Sequence, residues 1–226
     1  MKRASEFFSE EDKKVIEKAV AEAERATSGE IVPVVATVSG RYDRAEDIFG
    51  VLVAVLALVL AWVFFQDVAP AGGEWTHGLA PILSLPIVVA IVVFGFIAGA
   101  ALATIAPALR LPFIPKREMA EEVERRAAEV FQRFRVRGTR GATGILLYVS
   151  LYERMARVLG DDAISQKLDQ TAWDEILSLV AGGLQRGAPA DGFCAGIGKC
   201  GELLAQHFPV QPGDKNELAN ELRIID

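Results

Sequence analysis

Residues 48–65 read IFGVLVAVLALVLAWVFF, eighteen positions without one charged side chain. At 1.5 Å per residue a helix over them covers about 27 Å, close to the roughly 30 Å hydrocarbon core of a bilayer. A second uncharged stretch, 79–106, begins thirteen residues later and runs for 28 residues. Pro81 and Pro86 stand near its entrance, where a missing backbone donor costs least. Neither stretch has a polar face, which sets both apart from the amphipathic helices of a soluble domain. Together they predict a transmembrane hairpin, about 48–65 and 79–106, and the lipid bilayer as a partner.

Charge then orients the hairpin. The connecting segment 66–78 holds no Lys or Arg and carries Asp67 and Glu74. Arg41, Arg44, Arg110, Lys116, Arg117, Arg125 and Arg126 all fall within twenty residues of the outer ends. By the positive-inside bias both termini are expected in the cytoplasm, with two spans in the cell (inner) membrane. Trp62 and Trp75 are placed as interface anchors would be. Gly95 and Gly99 form a small-xxx-small pair continued by Ala103, and the first stretch offers Gly50, Ala54, Ala57 and Ala61. Such residues let helix backbones approach closely in lipid. Packing within one chain is the plainer reading, and a contact between two copies, giving a homo-oligomer, is the alternative. Neither span contains an ionisable residue, so the hairpin reads as an anchor rather than a transport path.

The chain has 226 residues, 51% of them hydrophobic and 24% charged, with a mean hydropathy of +0.28. Apolar residues are therefore concentrated rather than spread. A net charge of −6 gives no compositional support for a nucleic-acid partner. Cys194 and Cys200 match no common zinc or redox spacing and read as buried thiols. Met1–Glu11 lacks the apolar core of a cleaved signal.

The flanking parts read as soluble α/β structure. Ser9-Glu-Glu-Asp12 opens a helix as a capping box, with Val15, Ile16, Ala19, Val20 and Ala23 on one face and Gly29 at its end. EIVPVVATVS at 30–39 reads as a buried strand, paired on one side only near Pro33 or lying at an edge. A charged helix is expected over 116–136, striped by Met119, Val123, Ala127, Val130, Phe131 and Phe134. GILLYVSL at 144–151, a turn at Tyr152-Glu153 and a return over 154–160 read as a β-hairpin. Helices capped at Thr171 and starting at Asp191 follow, then a polar tail from Pro209. One strand before the membrane segments cannot form a sheet alone, so the hairpin is expected to interrupt a single domain. The parts are 1–47 and 110–226, with the hairpin as 48–109.

This order of parts resembles the TPM domain (TPM phosphatase) family. TSGEIVPVVATVS at 27–39, TGILLYVSLYERMARVLGDDAI at 143–164 and HFPVQPGDKNEL at 207–218 carry the resemblance. It is most similar to the bacterial membrane-bound branch, in which a hairpin splits the domain. The resemblance implies an α/β/α sandwich, helices flanking a small sheet. It also implies calcium binding in some relatives, acid phosphatase activity in a plant thylakoid member, and accessory or assembly roles in others. Gly160-Asp161-Asp162 matches the family's acidic position after the hairpin.

Asp161 and Asp162 are thus the candidate metal ligands, for calcium or, in a cytosol poor in calcium, magnesium. The competing reading is that Asp162 caps the next helix while Asp161 is solvated. Glu30 joins this site only if its strand begins there. Gly196-Ile-Gly-Lys-Cys-Gly201 fits G-x-G-x-x-G but sits in a helical context, so helix packing is expected and no cofactor. His77 and His207 are far apart, and no serine has a nucleophile setting. Arg133, Arg135, Arg137 and Arg140 form a basic run suited to anionic headgroups or to a solvated helix end. The function expected is a cytoplasm-facing interaction, assembly or quality-control module acting on other membrane proteins. The alternative is a metal-dependent phosphatase acting on phosphomonoesters.

Overall fold

The structure, a computed structural model, describes residues 2–65, 68–70, 79–81, 83–139, 141–214 and 216–226. In chain order the elements are α1 Ala4–Phe7, α2 Glu10–Glu24, β1 Glu30–Ala36, α3 Asp43–Phe65, β2 Val68–Pro70, β3 Leu79–Pro81 and α4 Leu85–Ile105. After a 3-10 segment, Pro107–Phe113, come α5 Lys116–Arg133, β4 Gly144–Ser150, β5 Met155–Gly160, α6 Asp162–Ser165, α7 Gln170–Gln185, α8 Pro189–His207 and β6 Arg223–Ile225. Two compact units result: residues 41–115, and residues 2–40 together with 116–226.

The second unit is built on a four-stranded mixed sheet, order β5-β4-β1-β6. β1 and β4 run parallel from Glu30↔Gly144 to Ala36↔Ser150, and every residue of both is buried. Burial on both faces is why EIVPVVA and GILLYVS are continuous apolar runs rather than alternating ones. On one face Ile31, Val35, Ile145, Leu147 and Val149 pack against α2, α7 and α8 through Ile16, Val20, Ile176, Val180, Phe193 and Ile197. On the other, Val32, Val34, Leu146 and Tyr148 meet Val123, Ala127 and Val130 of α5. The sheet lies between helices, as an α/β/α sandwich requires.

Pro33 lies opposite Leu147 of β4, and β6 joins the other side of β1 only from Val34 onward. The missing N–H thus falls where β1 has one neighbour, as the sequence predicts. The polar tail read from Pro209 is corrected: its last residues form β6, pairing Val34↔Arg223 through Ala36↔Ile225. Three residues are too few to show a period, yet Ile224 packs into one core and Ile225 into the other. Helix ends also shift. The Ser9–Asp12 capping box forms as read, but α2 stops at Glu24 rather than Gly29. Asp169 caps α7 instead of Thr171, its carboxylate accepting from Ala172 N at 2.9 Å.

In the first unit α3 starts at Asp43, upstream of the uncharged stretch, and α4 starts at Leu85 with Pro86 in its first turn. Residues 79–81 pair with 68–70 as a short antiparallel ladder instead of extending the helix. Pro86 fits only at a helix start, which sets that boundary. The best 18-residue windows of α3 and α4 are 11% and 6% buried, with mean hydropathies of 3.0 and 2.7. A core helix of a soluble protein would be mostly covered, so these are two helices long and apolar enough to cross a bilayer. The Glu46–Arg110 ion pair joins the two outer ends, with Thr104 Oγ1 donating to Glu46 at 3.1 Å. Trp62 is half exposed at the end of α3, whereas Asp67, Glu74, Trp75 and His77 lie outside the described residues.

Gly95 and Gly99 pack inside the chain. A Cβ on Gly95 would stand 2.9 Å from Ala54 Cα, and one on Gly99 2.9 Å from Gly50 Cα and 2.8 Å from Val53 Cβ. Gly99→Leu should therefore spread the two helices at a cost of about 1–3 kcal/mol. Proteolysis of the full chain in detergent checks it: cleavage within 41–115 should accelerate severalfold, while hydrogen exchange in β4 stays unchanged.

Candidate functional site

In open sheets with parallel strands, ligand crevices form beyond the carboxyl ends of those strands. At that end of β1 and β4 the sandwich holds a buried polar cluster of Ser39, Tyr148, Ser150 and Glu153. Tyr148 and Ser150 follow Leu146 on the α5 side of β4, and Glu153 sits in the turn to β5 with only 6% exposure. Arg154 completes that turn with φ +55°, a left-handed conformation that few non-glycine residues adopt.

Glu153 accepts from the backbone N–H groups of Ser39 at 3.0 Å and Gly40 at 3.2 Å. Its other oxygen accepts from the Ser150 hydroxyl. Ser39 Oγ donates to Ser150 Oγ at 2.8 Å and lies 2.8 Å from the Tyr148 hydroxyl. Each hydroxyl has one proton and an ionised carboxylate only accepts, so the chain runs Tyr148 to Ser39 to Ser150 to Glu153. Burial pushes the Tyr148 phenol upward, which keeps it the donor at the head of the chain. The cluster has no histidine to activate a serine, and its donors are spent on one another. Its evident effect is to fix Ser39 and Gly40, where the chain leaves β1. The sequence marks it only as polar residues ending two apolar strands.

The Asp pair lies at the opposite end of the sheet. Asp161 N donates to Gly144 O, and Asp161 caps the four-residue α6 by accepting from Asp162 N at 2.8 Å. The cap is thus Asp161 rather than Asp162, and the solvated residue is Asp162. Arg137 spans the pair, with Nη2 2.6 Å from Asp162 Oδ2 and Nε 3.7 Å from Asp161 Oδ1. Asp162 holds the Arg137 guanidinium above its usual range through that hydrogen bond. Among the described residues no three His, Cys, Asp or Glu side chains come together as a metal set. Calcium takes six to eight oxygens and magnesium one or two carboxylates with water. With a guanidinium between the carboxylates the donor set fits neither.

Glu30 begins β1 at this same end, as the Asp-site reading requires, but its carboxylate accepts from Glu217 N at 2.9 Å and Leu218 N at 3.2 Å. Beside it Glu24 accepts from Ile31 N at 2.8 Å and from Asn220 Nδ2 at 2.9 Å. Burial raises Glu24 to about 7, with the nearby Glu30 charge adding to it, and burial likewise raises Glu30. A buried carboxylate, Glu30, and a half-buried one, Glu24, thus hold the tail that delivers β6, a role the sequence gives no sign of.

The glycine motif lies inside α8. A Cβ on Gly196 would stand 2.5 Å from Val180 Cγ2 and one on Gly201 2.7 Å from Ala23 Cβ, so both are packing glycines. Cys194 and Cys200 are free thiols, Cys200 pushed up to about 12 by burial and Cys194 also raised by burial. Neither is a ready nucleophile.

A mixed sheet between two helical layers, entered through β1 and closed by a returning tail strand, is the class of fold seen here. Residues 110–203 match the family model described as the TPM domain. The structure is similar to the NMR structure of the BA42 protein from the psychrophilic bacterium Bizionia argentinensis, with a TM-score of 0.58 and 20% identity over 99% of each chain. At that identity the likeness is one of fold. A search of curated proteins finds no match. The family model matched over 110–203 is that of the family the sequence resembles.

Proposed function

We propose that this chain is a membrane-anchored accessory module: two spans hold an interrupted TPM-like domain on the cytoplasmic side, where it engages other membrane proteins. The observation that supports it most is the place of α3 and α4, two almost uncovered apolar helices inserted between β1 and α5. Such an insertion ties the domain to a bilayer at both of its cut ends. The phosphatase alternative finds less support, because Asp161 is a helix cap and Asp162 an ion-pair partner.

The test pairs capture with an assay. Crosslinking in intact membranes, followed by affinity capture of the full chain in detergent, should recover other membrane proteins through the 116–226 segment. Recovery of none above a hairpin-only control would overturn the reading. So would magnesium- or calcium-dependent hydrolysis of p-nitrophenyl phosphate by the purified chain that disappears in Asp161→Ala/Asp162→Ala.

A further inference from the structure

Arg117, Arg125 and Arg126 of α5 each pair with a glutamate three or four residues away. Arg133, the last residue of the same helix, does not. Glu129 stands one turn before it, but both oxygens of that carboxylate accept from Arg126 Nη1, at 2.9 and 2.8 Å. Arg133 lies instead against the ring of Phe134, its guanidinium carbon 5.9 Å from the ring centre. Arg223, the first residue of β6, comes to the same ring at 4.3 Å. Its Nε is buried without a hydrogen-bond partner, and among the described residues neither arginine has a carboxylate within 4 Å. Two guanidiniums are thus gathered on one aromatic ring in a chain whose net charge is −6.

Stacking on an aromatic face orients a guanidinium and leaves the N–H groups at its edge for an oxyanion. Like charges held this close repel, and an anion shared between them relieves the repulsion. The common ring keeps the two charges within about 10 Å, and carboxylates two residues apart on an extended chain stand about 7 Å apart. Arg133 lies about 25 Å along α5 from Lys116, the first residue after the hairpin unit, which favours a protein segment over a lipid headgroup. We propose that Arg133 and Arg223 form a docking point for an acidic segment of a partner protein, each guanidinium taking one carboxylate and the Phe134 ring holding both in place. The partner meant is that of the accessory-module role, on which this docking point rests.

A fluorescein-labelled hexaglutamate peptide tests it on the full chain in neutral detergent, by anisotropy at about 50 mM salt, where screening is weak. The net charge of the chain opposes such a peptide, so saturable binding reports a local site. Arg133→Gln should weaken binding at least about tenfold, as the loss of one charge-assisted pair implies. Arg133→Gln/Arg223→Gln should abolish it, and Arg223→Lys, which keeps the charge without the fork, should weaken it severalfold. Arg186→Gln, at an exposed arginine following α7, should leave it unchanged. Hydrogen exchange of amides 223–225 at the rate of the intact chain shows that β6 stays in place; where an Arg223 variant loosens it, Arg133→Gln alone decides. No saturable binding, or equal losses in Arg133→Gln and Arg186→Gln, would overturn the proposal. So would displacement of the peptide by millimolar phosphate at constant ionic strength, which would make a small oxyanion the ligand. Capture of membrane proteins that survives Arg133→Gln/Arg223→Gln would overturn the docking point and leave the accessory role standing. Peptide binding by a chain that captures no membrane protein would uphold the docking point and overturn the role.

Discussion

Replacing Gly183 with valine is expected to disrupt the helical layer formed by α7 and α8. A Cβ there would collide with Gly192 Cα, stand 2.5 Å from Gly192 N and 2.9 Å from the Ala188 carbonyl oxygen. All three obstacles are backbone, so no rotamer change relieves them. Overpacking of a tight core typically costs about 1–3 kcal/mol, and here the upper end or beyond applies because both helices must separate. Phe193, Ile197, Ile176 and Val180 in the same interface would then lose packing against β4. Hydrogen exchange of the purified chain should show at least a hundredfold loss of protection in α7 and α8, by the conversion of about 1.4 kcal/mol per tenfold. Gly198→Ala is the matched control. Its Cβ would meet nothing within 4 Å, and alanine in a helix interior should stabilise by roughly 0.5–1 kcal/mol. Equal behaviour of the two variants would contradict the close crossing.

The second large effect concerns pH. Glu24 has its pKa raised to about 7 against an ordinary value of 4.5, chiefly by burial. The folded state therefore holds a proton that the unfolded chain has released between those values. The folded state binds more protons than the unfolded one, so stability falls as pH rises from about 4.5 to about 7 and then levels off. The shift corresponds to about 3 kcal/mol, and partial exposure of Glu24 reduces the expected effect to about 2 kcal/mol. Glu24→Gln removes the titration. Its stability should fall less steeply over that window, Glu30 alone leaving a residual slope of the same sign, and exceed that of the intact chain at pH 8. The amides of β6 report it best, since Glu24 and Glu30 hold the tail before it through Asn220, Glu217 and Leu218. Exchange rates corrected for the intrinsic pH dependence should rise with pH in the intact chain and rise clearly less in Glu24→Gln. A parallel rise in both would show that Glu24 is not the titrating group.

The parts of this molecule that were legible in the sequence are those that repeat a signal over many residues. Eighteen uncharged residues at 48–65, the stripe Met119, Val123, Ala127 and Val130, and the unbroken runs of β1 and β4 each declare their environment several times over. Pro33 was legible in a finer way, because one missing donor restricts where a neighbouring strand can pair. β6 was not, since three residues carry no period and its pairing depends on Val34–Ala36, nearly 190 positions away. The polar clusters were hidden for the same reason. Ser39 meets Ser150 across a separation of 111 residues, and Glu30 meets Glu217 across 187. For the Asp pair the sequence shows two adjacent carboxylates, but their partner Arg137 stands 25 residues upstream of Asp162, inside a basic run that hides the pairing.

A domain interrupted by a hairpin that crosses the bilayer twice would hold Asp226 and Gly72 on opposite sides of it. Fusing a reporter active only outside the cytoplasm after Asp226, and separately inserting it at Gly72, tests this directly. The reading predicts activity from the insertion at Gly72 and none from the fusion at Asp226. Activity on the same side at both positions would contradict it.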